Sequence, residues 1–176
     1  MLIVSVELLQ FIDLIGSRYR IALLTELYHY ILLRSGNMNQ EILKRAGEII
    51  QENTGEATYC VIAQIDLDGY PTASTITASK ADGINWITFC TGLGGTRTDR
   101  INCSNCASIC FNAADYNITL VGTIEVCTDS NIKMEMWYDG LSNHFSGPED
   151  PNYCVLRFNT QRYNLLVDWQ EERGTL

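Results

Sequence analysis

The stretch "ATYCVIAQIDLDGYPTASTITASKADGINWITFCTG", residues 57–92, decides the fold. Three runs rich in β-branched and apolar residues are separated only by "LDGY" and "KADG", and each of these supplies an Asp-Gly pair for a backbone turn with φ > 0. Runs this close together leave no room for crossover helices. They read as an antiparallel meander rather than as βαβ units.

Further along, "TGLGGTRTDRINCSNCASIC", residues 91–110, sets a glycine-rich turn before Thr96 and Asp99. That spacing matches a capping box opening a short helix over "RTDRINC". Strands are expected again at "ASICFNA" and "NITLVGTIEVC". "DSNIKMEMWYDGLSNHF" reads as an amphipathic helix with Ile132 and Met136 inward and Met134 and Trp137 on or near the same face. "SGPEDPN" is a loop, and "YCVLRFN" and "YNLLVDW" are the last two strands.

Upstream of the meander, "NQEILKRAGEIIQEN" repeats Ile42, Leu43, Ala46, Ile49 and Ile50 at a helical period, and "RSGNMNQ" before it reads as a break. Residues 1–37 are therefore expected to be a helical extension outside the core, or the product of an upstream start-codon assignment, with the domain proper at 38–176. About six strands and three helices in that domain favour a mainly β fold with flanking helices, closed or partly closed into a small barrel.

Composition narrows the functional classes. The 176 residues carry 12 Lys and Arg against 21 Asp and Glu, a formal charge of -9, which gives nucleic-acid binding no electrostatic drive. Two histidines, His29 and His144, leave little for a histidine-based metal or catalytic site. Seven cysteines without a secretory signal read as reduced thiols of the cytoplasm. The apolar start is interrupted by Glu7, Asp13, Arg18, Arg20, Glu26 and His29, so it holds no uncharged 18-residue span; it reads as ordinary helix or as amphipathic helix on a partner or bilayer surface.

Residues 91–110 offer two chemistries. Cys103, Cys106 and Cys110 supply three local thiols, with Cys90 as a conceivable fourth, but their places at a helix end, a connection and a strand point them apart. Packing is the expected role, as for Cys60, Cys127 and Cys154, and no metal is expected. Gly92, Gly94 and Gly95 let the backbone approach a ligand closely, Thr96 begins a helix whose free amides favour a phosphate, and Arg97 adds a forked donor. An ordinary turn with a solvated arginine is the competing reading.

The ordered segments "DLDGYPTASTIT", "WITFCTG", "TRTDRI", "ASICF", "NITLVGTIEV" and "MEMWYDGLSNHFSGPEDPNYCVLRFN" together resemble the pyridoxamine 5'-phosphate oxidase-like superfamily, and within it the general stress protein 26-type flavoproteins. The resemblance runs from Asn39 to Trp169. It implies a split β-barrel that dimerises and binds FMN in two symmetric clefts between protomers. By the same resemblance, Ser74, Thr75, Ile76 and Thr77 with Phe89, Cys90 and Thr91 border the flavin ring. Thr96, Arg97 and Thr98 hold its phosphate. The family commonly writes Ser-Arg-Lys there, so this chain lacks a lysine at 98 and carries an extra glycine before Thr96; restoring Lys at 98 is expected to favour FMN. Asn117 resembles an amide that reaches the cofactor, its alternative being a turn cap. Trp169 either lies against the cofactor edge or ends a strand. The tail, with Arg157, Arg162 and Arg173 but no histidine, does not match the substrate site of the true oxidases. The function implied is a homodimeric FMN oxidoreductase exchanging electrons or hydride with a small or nicotinamide partner, NAD(P)H among them; a non-catalytic flavin-binding stress protein and a heme-binding relative are the alternatives.

Overall fold

The computed structural model describes residues 17–55 and 58–176, and the amphipathic reading of the first sixteen residues lies outside the described residues. The chain divides into two compact units, Met1–Glu41 and Ile42–Leu176. Helix α1, Ser17–Glu52, runs through "RSGNMNQ", so the expected break there is not one. Gly36 meets nothing within 4 Å of a would-be side chain, and a lone glycine without proline costs a helix only about 1 kcal/mol. Among the described residues, no helix is long and apolar enough to cross a membrane.

In the second unit eight strands form one antiparallel sheet: β1 Cys60–Ile65, β2 Pro71–Ile76, β3 Ala78–Asp82, β4 Trp86–Gly92, β5 Cys106–Asn112, β6 Tyr116–Cys127, β7 Tyr153–Val167 and β8 Gln170–Thr175. Helix α2, Thr96–Cys103, and helix α3, Ser130–Glu135, flank it. The order is β2-β1-β5-β6-β7-β4-β3, with β8 also on β7. The two ends of this path, β2 and β3, are consecutive in the chain and separated only by Thr77. The sheet therefore curls until its edges meet at a one-residue bend, which is a split β-barrel. Turn chemistry is as expected, with Gly69 at φ 87° and Gly83 at φ 53°.

Two differences from the seven runs read as strands each add a strand. Thr77 divides one predicted run into β2 and β3, and the charged tail "QEERGT" pairs with β7 despite its low β-propensity. Conversely, "YCVLRFN" and "YNLLVDW" are a single 15-residue strand. β7 keeps β6 on one side from Val155 to Val167 and meets β4 through residues Tyr153–Asn159, then β8 through Arg162–Val167, on the other. The register slips where Val121 faces Arg162 but Gly122 faces Thr160, leaving Gln161 as the extra residue of a bulge that bends the strand. A side chain on Gly122 would collide with the Asn159 carbonyl oxygen. Gly122→Ala is accordingly expected to destabilise the fold by about 1–3 kcal/mol, read from the urea midpoint.

Alternation puts Ile62, Phe89, Ile109, Phe111, Ile118, Leu120, Leu156 and Phe158 inside the barrel. Ile42, Ala46, Ile49 and Ile50 of α1 join this core, as their helical period required. The opposite face of β4 and β7 is covered by a second cluster, in which Met136 and Leu141 pack with Tyr153 and Val155. Met134, expected near the inner face of α3, is instead 57% exposed, while Met136 is buried.

Candidate functional site

Helix α2 begins at Gly95, not at a capping box: Gly95 is the N-cap and no side chain caps the helix. The amides of Thr96 and Arg97 find no acceptor among the described residues, whereas those of Leu93 and Gly94 are taken by the Asn152 carbonyl at 2.7 Å and the Asn152 side-chain oxygen at 3.3 Å. Unpaired donors at the first turn of a helix, facing its positive dipole end, suit an anion.

Arg97 joins this turn to β2. Its Nη2 donates to Ser74 Oγ at 3.2 Å and to the Thr75 carbonyl at 2.8 Å, so the helix start and the Ser74–Thr77 segment lie side by side. The Arg97 carbonyl accepts from Gln64 Nε2 at 3.2 Å. Arg97 Nε is buried without a hydrogen-bond partner, the only such side-chain nitrogen or oxygen among the described residues. Burial, and then the positive charge of Arg100 one helical turn away, lower the Arg97 pKa from its ordinary value. No carboxylate within salt-bridge distance neutralises either arginine among the described residues.

Thr98 turns the other way. It is 2% exposed, and its hydroxyl is held by the carbonyls of Leu93 at 2.6 Å and Gly95 at 2.7 Å. It closes the glycine turn from the core side. The expectation that Lys at 98 would strengthen a phosphate site is therefore replaced by its opposite: Thr98→Lys buries an ammonium and breaks both contacts. It is expected to lower stability by about 1–3 kcal/mol without raising the preference for FMN over riboflavin, as thermal unfolding and fluorescence titration would report.

The remaining positions divide by face. Ile76 and Phe89 are core side chains, 8% and 0% exposed, so only their backbones can border a ligand. Phe89 pairs with Ala78 across the β3–β4 ladder, which brings Phe89–Thr91 beside the end of the Ser74–Thr77 segment. Cys90 points into the second cluster: its Sγ accepts from Ser79 Oγ at 3.1 Å and lies 3.3 Å from the Tyr153 hydroxyl, and burial raises its pKa. Thr91 is half-buried and Thr96 exposed. Asn117 is exposed on the outer face of β6, accepting from Thr119 Oγ1 at 3.2 Å. Three strand spacings, about 14 Å, separate β6 from β2 in the sheet order.

Trp169 does not end a strand. With Asp168 it makes the β7–β8 turn at φ 64° and 49°, a left-handed pair better suited to Asn-Gly, and it is 80% exposed. Cys103 and Cys106 are exposed and Cys110 half-buried, while Cys60 is buried and pushed up to about 12. Among the described residues, no three His, Cys, Asp or Glu side chains cluster as a metal site would require.

Sequence reasoning missed Gln64, Arg100 and Asn152. Gln64 had a signal, a polar residue at an inward position of an otherwise apolar alternation. Arg100 had the helical spacing from Arg97. Asn152 had none, because 58 residues separate it from the turn that it holds.

The model of the pyridoxamine 5'-phosphate oxidase family matches residues 46–166. No curated protein matches the chain significantly. Among solved structures, the chain is similar to a Clostridium acetobutylicum protein related to general stress protein 26 (22% identity, 77% of this chain and 95% of that one covered, TM-score 0.67). It is also similar to general stress protein 26 of Bacillus anthracis (18% identity, 76% and 98% covered, TM-score 0.64). A third is a pyridoxamine 5'-phosphate oxidase-related, FMN-binding protein of Nostoc punctiforme (13% identity, 78% and 94% covered, TM-score 0.56). Because the family match takes in β1 to β6, nearly all of β7 and the glycine turn with α2, the chain belongs to the pyridoxamine 5'-phosphate oxidase-like superfamily of split barrels.

Proposed function

We propose that this protein is a homodimeric flavoprotein that holds FMN with its phosphate at the start of α2 and its ring along Ser74–Thr77, and exchanges electrons or hydride with a small redox partner such as NAD(P)H. The observation that carries the reading is Arg97: a guanidinium bonded to Ser74 and Thr75, with a buried, unpartnered Nε, beside the unpaired amides of Thr96 and Arg97. A dianionic phosphate suits that set of donors, and Arg100 adds a positive charge that position 98 does not supply.

When bound, FMN supplies the redox chemistry, since flavins carry hydride and electron transfer themselves. The residues of the chain bind and orient it. The Ser74 hydroxyl and the backbone from Ser74 to Thr77 form a polar margin, and Arg97 ties that margin to the phosphate end.

The outer face of the sheet supports a second copy as partner. Thr75, Val61, Cys110, Thr119, Asn164 and Arg173 stand in register across six strands. Beside them Ala73, Ala63, Ser108 and Val121 form a parallel row of small side chains, and Val61 is 38% exposed. A broad face so poor in charge on β2, β1, β5 and β6 suits a protein partner better than water. A twofold partner would also bring the Asn117 on the outer face of its own β6 to this interface. Seven free cysteines support a reducing compartment, the cytoplasm.

The visible spectrum of the purified protein tests the reading, together with its mass in solution. Flavin absorption in a dimer, bleached by NAD(P)H, is the expected result. Flavin that no nicotinamide reduces would point to a binding role, a Soret band to heme, and a colourless monomer that takes up no added FMN would sink the proposal.

A further inference from the structure

We propose that Asn152, in the loop before β7, determines the specificity of the phosphate cradle: its side-chain oxygen shapes the glycine turn, and its Nδ2 amide offers the bound phosphate a further donor. The inference rests on the flavin reading above and adds to it a residue that no local pattern marks.

Leu93 N donates to the Asn152 carbonyl at 2.7 Å and Gly94 N to its Oδ1 at 3.3 Å. Because the Gly94 amide needs an acceptor, Oδ1 faces it and Nδ2 is turned toward Gly92. A side-chain carbon at Gly92 would lie 3.2 Å from Nδ2, so the glycine leaves the space that this amide uses. Nδ2 itself finds no acceptor among the described residues, and Asn152 is exposed. A donor is thus free at the rim of a turn that leads into the open amides of Thr96 and Arg97.

The loop that carries Asn152 is braced independently of any ligand. The Asp150 carboxylate accepts from Asn152 N at 2.8 Å, Ser146 N at 2.8 Å and Ser146 Oγ at 2.9 Å, and these hydrogen bonds hold its pKa below the ordinary value. Lys133, 7% exposed, donates to the Asp150 carbonyl at 2.8 Å. The Asp150 carboxylate is therefore surrounded by donors within the loop, while the residue at the turn is a neutral amide. A rigid donor in this place favours an anion. A carboxylate there would repel one.

Asn152→Asp separates the two roles. It is isosteric, keeps an oxygen for the Gly94 amide and replaces the donor with a negative charge. Titration by flavin fluorescence is expected to show riboflavin affinity within about twofold of the unmodified protein and FMN affinity about tenfold lower or more, the deficit shrinking as salt rises. Asn152→Ala is expected to give an FMN-selective loss of about threefold to tenfold without the added charge. Equal weakening of FMN and riboflavin would make Asn152 a structural clamp and overturn the proposal. Unchanged FMN affinity in both variants, with Arg97→Ala still losing FMN, would leave the cradle standing and remove Asn152 from it. If Arg97→Ala also left FMN binding unchanged, the cradle itself would fall.

Discussion

Phe89→Ala is expected to cost the fold about 3–5 kcal/mol, the range for emptying a fully buried aromatic site. Phe89 is 0% exposed, packs in the barrel core and pairs with Ala78 on one side and Leu156 on the other. Two of the neighbouring strands are anchored by this ladder, so the walls have little freedom to collapse into the space left behind. For a domain of this size the melting temperature should fall by about 2–4 °C per kcal/mol. Phe89→Leu should lose much less. A loss below about 1 kcal/mol in Phe89→Ala would mean that the ring does not occupy the core and would restore it as a candidate to border the flavin directly.

Arg97→Ala is expected to weaken FMN binding by about 1.5–3 kcal/mol, that is by about tenfold to a hundredfold, while riboflavin binding changes little. The two ligands share a ring and differ in the phosphate, so the comparison isolates the group that Arg97 is proposed to hold. The control matters here because Arg97 also donates to Ser74 and Thr75, and its removal loosens the edge strand β2. Loosening alone would weaken both ligands. A folded, dimeric Arg97→Ala protein that binds FMN as before would place the phosphate elsewhere and leave the glycine turn as an ordinary helix start.

How much of this was legible in advance depended on distance along the chain. The Asp-Gly turns and the buried face of α1 follow from periodicity and turn chemistry within a few residues, and both appear as read, as does the antiparallel sense of the meander. The location of the α2 start and of Arg97 was equally local. What Arg97 touches was not: Ser74 and Thr75 lie more than twenty residues away, and only barrel closure brings β2 to the helix. Thr98 shows the limit on a shorter scale. Its neighbours in sequence suggested a phosphate ligand, but the turn of the helix sends its hydroxyl inward to Leu93 and Gly95.

By itself, then, the sequence determined the mainly antiparallel class and the family, because alternation, turn residues and ordered segments act through near neighbours. The tertiary structure alone decided that one predicted run bends at Thr77 into the two edges of the sheet, that the last two runs form one bulged strand, and that a charged tail completes the sheet. It also decided that Asn152 and Gln64 hold the turn around Arg97. These outcomes depend on which strands pair and in what register. That is settled by burial of the whole barrel core at once, and no short window of residues contains it.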